Sequence, residues 1–125
     1  MKVAFLVLCH ENNEDLDFLF SSKYFDNKSC KVFIHYDLKQ SKENFEKLKK
    51  KYQRQNFSFI EKRVSCHWGN YSLVDATIRL LYAAFNDASF KADYFYLISG
   101  SCFPIKPFRN LQKFLNNNKG NEFIE

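Results

Sequence analysis

Short continuous apolar runs alternate along the chain with stretches in which apolar residues return every three or four positions. These are the patterns of buried strands and amphipathic helices. Lys2 to Cys9 is the first such run, rich in strand formers, and predicts a strand buried on both faces of a parallel sheet. It ends in a polar turn, His10 to Asn13. From Asn13 to Tyr24 the positions Leu16, Leu19 and Phe20 predict a helix, with Glu14 and Asp15 where the helix dipole favours carboxylates. Lys31 to Tyr36 predicts a second strand, stopping at Asp37. Ser41 can cap a helix running to about Gln53, with Phe45, Leu48 and Tyr52 as its apolar stripe. Phe57 to Ile60 alternates like a strand, and the segment Ser65 to Tyr71 that follows soon after has no period. Ser72 and Asp75 then have capping-box spacing, and Val74, Ile78, Leu81 and Phe85 follow as a helical apolar stripe. Asp93 to Ile98 predicts another buried strand, emptying into a loop from Ser99 to Pro107 braced by Pro104 and Pro107. Phe108 to Asn118 predicts the last helix, ended by Lys119-Gly120, and Asn121 to Glu125 restarts a strand.

The order β-α-β-α-β-α-β-α-β calls for an α/β fold, a mainly parallel sheet with helices on its faces. Such sheets bind ligands beyond the carboxyl ends of their strands. Those ends carry His10, Asp37, the segment Cys66 to Tyr71 and the loop Ser99 to Lys106. A chain that stops at an edge strand would expose a long pairing surface, so the expectation is an N-terminal fragment of a larger domain.

Composition narrows the class. With 125 residues, 46% hydrophobic and 26% charged, the sequence suits a single α/β domain spanning residues 1–125 and excludes a disordered or fibrous protein. Fifteen phenylalanines and seven tyrosines supply enough apolar surface for a core. The run Val3 to Cys9 is far shorter than the roughly 20 residues that span a bilayer, and no small-residue cleavage site follows it. The expected setting is the cytoplasm. Cys9, Cys30, Cys66 and Cys102 form no Cys-x-x-Cys pair, which points to free thiols and no metal site. The formal charge of +5 comes largely from Lys42 to Arg54, where interleaved Glu43 and Glu46 mark a solvated helix face and not a nucleic-acid surface. Peripheral attraction to anionic membranes is compatible with that face.

Several chemistries drop out. There is no Gly-x-Gly-x-x-Gly after the first strand, no P-loop and no Gly-x-Ser-x-Gly elbow. Asp37, at a strand end, can accept hydrogen bonds from a base edge or a ribose hydroxyl, or serve as a turn acid. His10 and His67 each follow a cysteine but lack zinc-ligand spacing. Trp68-Gly69 can offer a flat face and close backbone approach to a sugar or base, or be a core tryptophan beside a turn.

Taken together, Val-Leu-Cys-His-Glu-Asn12, Ile-His-Tyr-Asp37, His-Trp-Gly-Asn-Tyr-Ser-Leu-Val-Asp-Ala76, Leu-Ile-Ser-Gly-Ser-Cys-Phe-Pro-Ile-Lys106 and Asn-Lys-Gly-Asn-Glu-Phe-Ile-Glu125 resemble, in order and spacing, the core-2/I-branching N-acetylglucosaminyltransferase and peptide O-xylosyltransferase family. The resemblance covers about the first half of that family's catalytic domain. It implies a Rossmann-like, GT-A type glycosyltransferase that moves a sugar, GlcNAc by analogy, from a UDP-sugar donor to a glycan hydroxyl, with inversion and without a metal or cofactor. The family's general base and its diphosphate-binding cations fall beyond residue 125, which makes this chain the donor-binding half. His10 and Asp37 then match the nucleoside side of the donor site, Trp68, Gly69 and Ser72 the Trp-Gly-x-x-Ser signature, and Ser99 and Gly100 the loop beside it. Glu125 matches a carboxylate that touches the acceptor sugar in some members. Cys102 stands where many members have Asp, a departure that bears on sugar preference. The alternative is a non-catalytic nucleotide- or carbohydrate-binding module.

Overall fold

The computed structural model describes residues 1–67 and 71–121. Four strands, β1 (Val3–Cys9), β2 (Cys30–Tyr36), β3 (Phe57–Phe59) and β4 (Tyr94–Ser99), form an all-parallel sheet in the order β3-β2-β1-β4. The helices are α1 (Glu14–Phe20), α2 (Lys42–Lys51), α3 (Tyr71–Phe85) and α4 (Phe108–Asn117). β1 is central and covered on both faces, which is why its sequence is continuously apolar. Its odd residues Val3, Phe5, Val7 and Cys9 pack with Leu16, Leu19 and Phe20 of α1, Phe45 and Leu48 of α2, and Phe108 and Leu115 of α4. Its even residues Ala4 and Leu6 pack with Phe33, Phe90 and with Leu80 and Ala84 of α3. The chain steps outward from β1 to β3, then returns to pair β4 on the other side of β1. The strand order therefore reverses between β1 and β4, the place where open parallel sheets split to admit ligands.

Three expectations need correction. The first helix stops at Phe20, and a separate 3-10 turn covers Lys23–Phe25. Ser22 ends the run, since its hydroxyl accepts the Tyr24 N–H at 3.1 Å in competition with helical bonding. The break turns Tyr24 and Phe25 edge-on to the Phe5 ring. In α3 the helix begins at Tyr71, so Ser72 lies inside the first turn and is not its cap. The residues that α3 buries are Ala76, Leu80 and Ala84, whereas Val74, Ile78, Leu81 and Phe85 face outward, Phe85 at 73% exposure. The helix is apolar around most of its circumference, and the stripe of small residues lets its backbone settle closely over Leu6 and Phe33. β4 is not fully buried either: Phe95, Tyr96 and Leu97 are 38%, 47% and 48% exposed. α3 packs mainly on β1 and β2, and no further strand flanks β4 among the described residues. The expected fifth strand lies, apart from Asn121, outside the described residues.

Candidate functional site

Backbone hydrogen bonds carry the parallel ladder past the strand ends. The Asp37 N–H donates to Cys9 O and the Gly100 N–H to Leu8 O, each at 2.9 Å, so the loops after β1, β2 and β4 leave the sheet side by side. A fourth segment joins them where the Leu38 N–H donates to Val64 O at 3.1 Å.

Asp37 is 2% exposed. Its Oδ1 accepts the N–H of Lys39 at 2.9 Å and of Cys66 at 3.3 Å, while Oδ2 lies 3.8 Å from Lys39 Nζ. It is thus a turn acid and a tether for the segment after β3, with Oδ2 toward the Lys39 ammonium. His35 is 1% exposed, and its Nε2 accepts the Val64 N–H at 2.9 Å. Burial holds its pKa below the ordinary histidine value, so the ring is neutral with its proton on Nδ1. Arg63 lays its guanidinium over the Phe45 ring at 4.2 Å and donates to Asp37 O at 3.1 Å and Gln40 O at 3.2 Å. Sequence reasoning passed over His35 and Arg63. The available signal was a histidine inside an otherwise apolar run, since a buried imidazole needs a partner.

His10 sits at the same edge with an exposed ring 3.8 Å from Glu11 Oε1, and its carbonyl accepts Gln40 Nε2 at 2.9 Å. The Ser72 hydroxyl accepts the His67 N–H at 2.8 Å, linking the start of α3 through Cys66 to Asp37. Ser99 Oγ lies 3.4 Å from Ser101 Oγ and 3.5 Å from the exposed Cys102 Sγ. A Cβ on Gly100 would meet Cys9 Cβ at 2.9 Å and Leu16 Cδ1 at 3.0 Å, so the absence of a side chain is required by packing. The Cys9 thiol donates to His35 O at 3.5 Å and is pushed up to about 12 by burial and by Asp37. His10, Asp37, Ser72, Ser99 and Gly100 are thus gathered at one edge; Trp68, Gly69 and Glu125 lie outside the described residues.

The family model of the Core-2/I-Branching enzyme matches residues 3–125. The chain belongs to this family. Core-2/I-Branching enzymes are glycosyltransferases, and the all-parallel α/β sheet is consistent with a GT-A type fold. No curated protein matches the chain.

In this Core-2/I-Branching chain the Asp-x-Asp at Asp15-Leu16-Asp17 lies on α1 with Leu16 buried between the acids, and Asp17 is held by the Tyr52 hydroxyl at 2.5 Å. Among the described residues no three His, Cys, Asp or Glu side chains cluster as metal ligands, and no helix is long and apolar enough to cross a membrane. A hollow of about 690 Å³, lined by Phe25, Asp26, Lys31, Arg54, Asn56 and Phe90, opens near the amino ends of the strands. Within it Arg54 pairs with Asp26, and Lys31 pairs with Asp87. The carboxyl edge has a smaller hollow of about 330 Å³ bounded by Asp15, Phe18 and Ser101 to Phe103. The chemistry nevertheless favours that edge, where the strand order reverses and loop hydroxyls and amides converge.

Proposed function

We propose that this chain is the donor-binding half of a glycosyltransferase that transfers a sugar, GlcNAc as the leading candidate, from a UDP-sugar to a glycan hydroxyl with inversion and without a metal. The observation that carries the reading is the gathering of Asp37, His10, Ser72 and the Ser99-Gly100 turn at the reversal of strand order in a Core-2/I-Branching chain. Asp37 supplies the acceptor for uracil or ribose donors, and the neighbouring loop after β4 carries the Ser99 and Ser101 hydroxyls 3.4 Å apart. The proposed setting is the cytoplasmic side of a membrane, with the lysine-bearing face of α2 toward anionic lipid.

Ligand-detected NMR with UDP and uridine tests the reading on the 125-residue protein. Saturable binding is expected, weakened about tenfold or more in Asp37→Asn, since hydrogen bonds to a charged acceptor are worth about 1.5–3 kcal/mol. Asn keeps an oxygen for the Lys39 and Cys66 N–H groups, so its fold survives. No binding to wild-type protein, or equal binding to both proteins, overturns the assignment. Binding without sugar transfer, in a chain extended to carry the family's general base and diphosphate-binding cations, favours the binding-module alternative.

A further inference from the structure

His35 and Asp37 project from the end of β2 and seize consecutive turns of one extended segment. His35 Nε2 takes the Val64 N–H at 2.9 Å, and Asp37 Oδ1 takes the Cys66 N–H at 3.3 Å. Two further ties fix the same segment from neighbouring elements: Arg63 Nη1 donates to the carbonyls of Asp37 and Gln40, and Arg79 of α3 donates to Lys62 O at 3.2 Å. The segment then delivers His67, whose N–H the Ser72 hydroxyl accepts. Of the ties that hold this segment, the His35 bond to Val64 is the one made by a titratable ring nitrogen of β2, beside the Asp37 bond to Cys66 and the Leu38 N–H bond to Val64 O.

We propose that His35 is a positioning residue: by offering a neutral ring nitrogen to the Val64 N–H, it docks segment 64–67 against Asp37 and thereby sets the donor-site edge. This rests on the donor reading above. Protonation would replace the acceptor with a second donor facing an N–H, and the bond would be lost. The charges that face the ring come from each surrounding element: Asp37 beyond its own strand favours the imidazolium, whereas Arg63 on the docked segment and Arg79 on α3 oppose it. Cys9 on β1 presents a thiol to His35 O and no charge. Asp75 pairs with Arg79 at 3.1 Å. Burial outweighs the attraction of Asp37, so the neutral ring is the resting state. A purely space-filling histidine would give the same burial but no dependence of the segment on the proton.

The single tryptophan of the chain, Trp68, directly follows the docked segment in sequence and serves as the fluorophore. Acrylamide quenching of its fluorescence, together with UDP binding, is to be followed from pH 7.5 to pH 4.5 in wild type, His35→Gln and His35→Leu. Gln can place an amide oxygen near the Nε2 position but cannot titrate. In wild type, quenching is expected to rise about twofold and UDP affinity to fall about tenfold as pH drops below the ordinary histidine range, and His35→Gln is expected to hold its neutral-pH values throughout. His35→Leu, if folded, is expected to show the acid behaviour at every pH. Quenching that stays flat in wild type, or that changes equally in wild type and His35→Gln, overturns the positioning role. Quenching that behaves as expected while no protein binds UDP supports the positioning of the segment and overturns the donor reading instead.

Discussion

The two faces of the sheet are built differently. On one, α1, α2 and α4 close over Val3, Phe5 and Val7, and Phe5, Phe20, Tyr24, Phe25, Phe57 and Phe108 interlock in edge-to-face contacts. On the other, α3 alone lies over Ala4, Leu6 and Phe33 through Ala76, Leu80 and Ala84. Beside it Phe95 and Leu97 remain half exposed, and the stripe Val74, Ile78, Leu81 and Phe85 points away from the sheet. Interlocked aromatic rings stabilise the first face. The second relies on small side chains for close approach and on polar pins: the Lys31–Asp87 pair behind α3, the Arg79 bond to Lys62 O, and His35 holding Val64. The contrast teaches that burying a helix and using all of its apolar surface are separate outcomes, and that α3 achieves only the first among the described residues.

The largest expected effect breaks the contrast if it fails. Phe25→Ala should cost about 3–5 kcal/mol, the usual penalty for emptying a fully buried aromatic site, whereas Ile78→Ala on the outer stripe should stay within about 1 kcal/mol. Urea unfolding of both variants measures the difference, and equal losses would mean that the outer stripe is covered in solution. A smaller effect is expected for Gly100→Ala, about 1–3 kcal/mol, because the new methyl meets Cys9 and Leu16 on the covered face. The same unfolding curve checks it, and a neutral result would show that the turn can shift. The smallest concerns the pin behind α3. The Lys31 ammonium and the Ser89 hydroxyl and N–H hold Asp87 at about 2, although its burial opposes ionisation. A depressed carboxylate contributes stability that is present above its unfolded value near 4 and lost as pH falls toward 2. The contribution is on the order of 1 kcal/mol. Thermal melts of wild type and Asp87→Asn should therefore differ at pH 6 and converge by pH 2.

The four strands and four helices of the described residues were legible in the chain, as were the strand-end position of Asp37 and the loop beginning at Ser99. What could not be read was which of two apolar stripes α3 would bury. Both Val74-Ile78-Leu81-Phe85 and Ala76-Leu80-Ala84 have helical spacing, and only the surface presented by Leu6 and Phe33 selects the smaller side chains. Asp37 was correctly placed at a strand end, yet its bond to Cys66, 29 residues away, has no local signature.

Sequence by itself determined the alternation of elements, the parallel sheet and membership of a glycosyltransferase family, because periodicity and motif spacing are properties of consecutive residues. The tertiary structure alone decided the fate of three side chains: that Gly100 serves packing against Cys9 and Leu16, that His35 is a neutral acceptor, and that Phe85 faces outward. Each of these depends on atoms brought together by folding, and burial and hydrogen bonding take their magnitude from those neighbours and not from position along the chain.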